Sequence, residues 1–175
     1  MRSVDEMGKV RFLEHDTWGA MLVHARLRAL RMSADEIGYI SRLVSLHMRP
    51  GYLSQPYPPS RRAVYRFFRE AAGAGPDCVL LSLADYAAIR AGQVKLEHWA
   101  RRLETAGLLL KTYFRERVER VDPPPLIDGR RIMSTFGLAP GPQIGALLQG
   151  LREAQAAGEV TDFDEALTWL AQRVH

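Results

Sequence analysis

The chain has 175 residues, 47% hydrophobic and 25% charged, enough apolar material for one folded domain with or without a small appendix. No continuous apolar stretch reaches bilayer-spanning length, Met1-Arg2-Ser3-Val4-Asp5-Glu6 has no signal-peptide core, and the single Cys78 excludes a disulfide framework. A cytoplasmic protein with no membrane partner is expected. The net charge is +4 and the basic side is almost all arginine, whose fork pairs with phosphate; nucleic acid is therefore a candidate partner, although many small basic domains bind nothing in particular.

Taken in order, the segment 4–12 has a turn signal between short β-favouring flanks and suits a small hairpin. A helix is expected from near Glu14 to Arg31, with Trp18, Met21, Leu22, Ala25 and Ala29 as its inner face. Ser33-Ala34-Asp35-Glu36 reads as a capping box opening a second helix that carries Ile37, Ile40, Leu43, Val44 and His47 and ends at Pro50-Gly51. Prolines at 56, 58 and 59 demand a loop, and Ser60 caps a third helix with Arg62, Arg66 and Arg69 on one face and Ala63, Val64, Phe67, Phe68 and Ala71 on the other.

The next helix, from about Asp77 to Ala91, is apolar on every side, which predicts burial all round with Asp85 in its middle. A carboxylate so placed needs a metal, an arginine, a histidine or backbone donors. A long helix from about Val94 to Val121 follows, with Leu96, Trp99, Leu103, Leu110, Tyr113 and Val118 as its seam and arginines outside. Asp122-Pro123-Pro124-Pro125 reads as the boundary between residues 1–121 and a tail over 125–175. In that tail, helices are expected at about 130–136, from Pro142 to Gly158, and from Asp162 to Val174. The fold class is all-α.

For chemistry, His47 sits at a helix end before Pro50, where an imidazole can ligate a metal or satisfy the last carbonyls. His15 and His24 lie nine residues apart, on opposite faces of one helix at about 100° per residue, so they cannot share a site. His98, flanked by Glu97 and Trp99, reads as a surface residue. His15, His47 and Asp85, from three helices, make a partial ligand set for a divalent metal, if the helices converge. His15-Asp16 looks like a metal-binding doublet and equally like a helix N-terminus. No nucleophile elbow, phosphate-binding loop or dinucleotide fingerprint occurs, and no catalytic residue is assigned. The arginine face of 62, 66 and 69 is either solvated or a phosphate-binding surface. The turn at Leu138–Gly145, with Gly141 and Gln143, either offers helix-end amides to a phosphate or is a corner in which Gly145 permits close packing.

Three segments, Phe12-Leu13-Glu14-His15-Asp16-Thr17-Trp18-Gly19-Ala20, His47-Met48-Arg49-Pro50 and Leu81-Ser82-Leu83-Ala84-Asp85, together resemble the later part of an HD-type phosphohydrolase domain. The relative they resemble is the HD region of the bacterial tRNA nucleotidyltransferase/poly(A) polymerase family, which includes CCA-adding enzymes. Pro125-Leu126-Ile127-Asp128-Gly129, then Pro140 to Leu148, Glu153-Ala154-Gln155 and Gly158-Glu159-Val160 resemble the C-terminal segment of those enzymes.

The resemblance implies an HD-like helical bundle with a small C-terminal helical tail of RNA-binding type. It matches His15 and His47 to the two later histidines of the family's metal site and Asp85 to its final aspartate. It also marks departures. The family's defining His-Asp doublet, an earlier histidine and the nucleotidyltransferase head with its paired aspartates have no counterpart here, and Asp16 is incidental. Arg130-Arg131 stand where the family more often has an acidic residue. The resemblance therefore implies the C-terminal part of a longer enzyme, docking or supporting tRNA through Arg62, Arg66, Arg69, Gly141 and Gln143 and not competent alone for nucleotide addition. A separate head domain is an implied partner, and a divalent metal (Mg, Mn or Ni) an implied cofactor at an incomplete site. The alternative is a metal-dependent HD-superfamily phosphohydrolase acting on phosphomonoesters or cyclic phosphodiesters. Oligomeric state is left open.

Overall fold

The structure, a computed structural model, describes residues 2–4, 10–12, 14–89 and 94–174. Strands β1 (Arg2–Val4) and β2 (Val10–Phe12) pair antiparallel, with Ser3 opposite Arg11. This is the hairpin expected from the sequence; its turn lies outside the described residues. The rest of the described chain consists of helices joined by loops, as expected for an all-α fold. None of its helices is long and apolar enough to cross a membrane. The chain divides into two compact units: Met1–Tyr57 with Ala71–Gly107, and Pro58–Glu70 with Leu108–His175.

In the first unit, α1 (His15–Ala29) packs against α2 (Ala34–Leu46). The capping box forms as read: Glu36 N–H donates to the Ser33 hydroxyl while Ser33 N–H donates to the Glu36 carboxylate. Pro50 does not simply stop the chain. It occupies the first turn of a short helix, α3 (Arg49–Tyr52), because a missing N–H costs nothing there. Helix α5 (Gly75–Ile89) packs on α2 and α3, and Tyr39 donates from α2 to Asp77.

Two expectations fail in this unit. The inner face assigned to α1 is uncovered: Trp18, Met21 and Leu22 are exposed, and α1 has no buried residue. Its main helical neighbour among the described residues, α2, touches the Gly19 side, where an added Cβ would meet Val44. Helix α5 is not buried all round either. Cys78, Val79, Ser82 and Tyr86 form its buried stripe, while Leu80, Leu81 and Ile89 face solvent. Uniform hydrophobicity concealed which side was the core. Cys78 itself is buried, as expected, and burial pushes its thiol up to about 11.

In the second unit, α4 (Arg61–Ala71) is capped by the Ser60 hydroxyl, which accepts from Ala63 N–H, and buries Val64, Tyr65, Phe67 and Phe68. The long helix expected from about Val94 to Val121, which runs from the first unit into the second, is two: α6 (Leu96–Arg115) and α7 (Arg117–Arg120), broken at Glu116. Its buried seam is Thr105, Ala106, Leu109 and Thr112, whereas Leu96, Leu103 and Val118 are exposed. Thr105 can be buried because its hydroxyl donates back to the Arg101 carbonyl.

The tail follows its sequence closely. Helix α8 (Gly129–Phe136) is capped by Asp128 and ends on Gly137 at φ 64°. Helix α9 (Pro142–Ala157) ends on Gly158 at φ 77°, and α10 (Phe163–Ala171) is capped by Asp162. Ile127, Ile132, Ile144, Leu147, Leu151, Val160 and Leu170 form the core between them.

The two units change over at 57/58, 70/71 and 107/108, and the proline run lies within the second. Pro123 is buried, Gln155 donates to the Pro124 carbonyl, and Ile127 enters the core, so the run is packed into the second unit. Nor does Gly145 allow close packing, since an added Cβ there would meet nothing; Gly150 does, facing the Trp169 ring at 2.8 Å from where a Cβ would stand.

Candidate functional site

His15 opens α1 and His47 caps the C-terminal end of α2, and the structure brings them together with ring centroids 5.3 Å apart, edge to face. His15 Nδ1 donates to the Phe12 carbonyl at 2.9 Å, and His47 Nδ1 donates to the Val44 carbonyl at 2.6 Å. In a neutral ring those bonds put the proton on Nδ1 and leave Nε2 as an acceptor, the arrangement a metal-ligating histidine normally has. His47 thus does what either reading of a helix-end histidine required: it satisfies a late carbonyl and keeps a lone pair.

Asp85 does not complete the set. It stands half-buried on α5. Among the described residues, no group of three or more His, Cys, Asp or Glu is placed to hold a metal. Two imidazoles alone do not fit a divalent metal with the usual four or more ligands.

The arginine face on α4 is organised by a carboxylate. Glu153, on the buried side of α9, accepts from Arg62 Nη1 at 2.7 Å and from Arg66 at 2.9 Å through Nε and 2.6 Å through Nη2. Arg69 stands 3.9 Å away, and Arg62 also reaches Glu159 at 2.6 Å. The Arg66 and Arg62 hydrogen bonds hold the Glu153 carboxyl below its ordinary value against the opposite pull of burial, and both guanidiniums are raised in turn. A solvated face was one reading of these arginines and a phosphate surface the other. The structure adds a packing role: they tie α4 to α9.

Gly141 is the N-cap of α9 with no side-chain cap, and Gln143 beside it is exposed.

A further group was not picked out by the sequence reading. A polar cleft of about 660 Å³ in the first unit is lined by the loop after α3 and by one face of α6. His98, Arg101 and Arg102 line it together with Tyr52 and Tyr57. The signal was present: spacing of 98, 101 and 102 puts three cationic or potentially cationic side chains on one helical face. Among the many exposed charges of the helix it does not stand out, Tyr57 lies in the proline loop, and Tyr52 ends the short α3.

The sequence is similar, along nearly its whole length, to nucleotidyltransferases that carry tRNA in their name. It is 33% identical over 165 residues to the CC-adding tRNA nucleotidyltransferase of Thermus thermophilus, covering 94% of this chain and 34% of that protein. It is 31% identical over 162 residues to the A-adding tRNA nucleotidyltransferase of Deinococcus radiodurans, covering 92% of this chain and 35% of that protein. Its homologues are thus the enzymes that the spaced motifs resemble, and the chain spans about a third of the length of these relatives. No family model matches the chain, and no solved structure matches it.

Proposed function

We propose that this chain is the HD-like and tail portion of a tRNA nucleotidyltransferase-type protein, and that it docks or supports tRNA instead of adding nucleotides alone. The observation that carries this reading is the similarity to a CC-adding and an A-adding enzyme over more than nine-tenths of the chain. Nucleotide addition would need a head domain from further polypeptide. Arg62, Arg66 and Arg69 contribute as surface charge: three guanidiniums against Glu153 and Glu159 leave one positive charge on that face. Contacts of this kind go to phosphates and weaken with salt.

Fluorescence anisotropy with a labelled tRNA transcript tests the reading. Saturable binding at low salt that falls steeply as salt rises is expected. Undetectable affinity at low salt, with and without a separately expressed head domain, overturns it. The phosphohydrolase alternative rests on the His15–His47 pair and needs ligands that the described residues do not supply. Metal analysis of the purified protein, with phosphatase assays in nickel, manganese and magnesium, decides it; metal-free and inactive protein removes it.

A further inference from the structure

The cleft of the first unit has a chemistry of its own. The Arg101 guanidinium carbon lies 4.7 Å from the centre of the Tyr57 ring, and that of Arg102 lies 4.1 Å from the centre of the Tyr86 ring. A guanidinium over an aromatic ring gains cation–π attraction, which holds the side chain at that place while it remains charged. For Arg101 the only charged neighbour among the described ion pairs is Glu104, 3.7 Å away, with both side chains about half exposed, so its donors are open to an anion. Arg102 is also held by the close approach of Gly51, where an added Cβ would run into its guanidinium. Each guanidinium therefore has a ring contact that favours its place at the cleft before any ligand arrives.

Tyr52, which lines the same cleft, is 63% exposed although it is a large aromatic side chain. An aromatic ring beside oriented arginines is the combination that holds an unstacked nucleotide: phosphate on the guanidinium edge, base on the ring. The volume of about 660 Å³ lies within the range of about 300 to 1,000 Å³ usual for small-ligand sites, room for a nucleotide but not for a duplex. Glu97 lines the same cleft. A carboxylate there disfavours a second phosphate and can accept from a ribose hydroxyl, which suits RNA.

We propose that this cleft is a contact site for a single-stranded segment of RNA, with a phosphate on Arg101, Arg102 and His98 and a base on Tyr52. The proposal rests on the tRNA reading above and deepens it by naming where in the first unit the strand is held.

The test is an anisotropy titration of labelled tRNA with the full chain as wild type, Arg101→Glu, Arg101→Gln and Tyr52→Ala. Arg28→Glu, an exposed arginine on α1, serves as a charge-matched control. Circular dichroism establishes that each variant is folded, and Arg101→Gln replaces Arg101→Glu should the latter not fold. Expected are affinity losses of about tenfold for either Arg101 variant and about fivefold or more for Tyr52→Ala, with Arg28→Glu within about twofold of wild type. Wild-type binding that Arg101 and Tyr52 variants share unchanged, or that Arg28→Glu weakens as much, overturns the cleft and leaves the tRNA reading standing. No wild-type binding at low salt overturns both.

Discussion

Helices α1 and α9 are nearly the same length, fifteen and sixteen residues, and both carry apolar residues at helical spacing, yet one buries nothing and the other builds a core. Helix α9 lies among α7, α8 and α10 and buries Ile144, Leu147, Leu151, Glu153, Ala154 and Ala156. Helix α1 has α2 as its helical neighbour and leaves Trp18, Met21 and Leu22 in solvent, around an open hollow of about 360 Å³ that His15 also lines. Periodicity states that a helix has an apolar side. Whether that side gains the roughly 25 cal/mol per Å² of burial depends on what stands opposite it.

The same substitution in the two helices measures the contrast. Leu151, 1% exposed, sits in the closed core of the tail, and Leu151→Ala is expected to lower the unfolding free energy by about 3 kcal/mol in urea titration. An effect below about 1 kcal/mol would mean that this core is loosely packed and the contrast is false.

Glu153 comes next. It is the one acid on the buried face of α9, and Glu153→Gln removes charge-assisted bonds from Arg66 and Arg62, with an expected cost of about 2 kcal/mol at neutral pH. Its pH dependence has a definite sign. The folded-state value is lowered, so the stability it adds is full above the ordinary glutamate value and is lost as pH falls through the lowered one. Wild type should therefore lose stability faster than Glu153→Gln on acidification, and the two should converge in strong acid. Parallel curves would show that the arginines do not depend on this carboxylate.

The smallest effect belongs to α1. Leu22, 69% exposed, has no buried contact to lose, and Leu22→Ala should change stability by no more than about 0.5 kcal/mol. A loss as large as that of Leu151→Ala would show that α1 is covered in solution and would erase the contrast between the two helices.

Much of the local structure was readable from the chain. The Ser33-Glu36 box, the Ser60 cap and the Gly158 helix end stand where the sequence puts them, and Asp128 and Asp162 cap α8 and α10 by the same local chemistry, because a cap is decided by a few adjacent residues. The faces were less readable. In α5 almost every position is apolar, so the buried stripe of Cys78, Val79, Ser82 and Tyr86 could not be told from Leu80, Leu81 and Ile89, and Asp85 looked more enclosed than it is. In α6 the pattern favoured Leu96 and Leu103, while the structure buries Thr105 and Thr112, whose hydroxyls made them look like surface.

The candidate site divides in the same way. The chain alone supplied His47 at a helix end, His15 at a helix start, and arginines at 62, 66 and 69 on one face, since each follows from spacing within one element. Only the tertiary structure decided that the two imidazoles meet at 5.3 Å, that no third ligand joins them among the described residues, and that one buried glutamate draws the three arginines together. It alone decided, too, that Tyr52 and Tyr57 line one cleft with His98, Arg101 and Arg102. The reason is range. Caps, turns and helical faces are set by neighbours within about four residues, whereas a site is set by side chains tens of residues apart, whose meeting depends on how every helix between them packs.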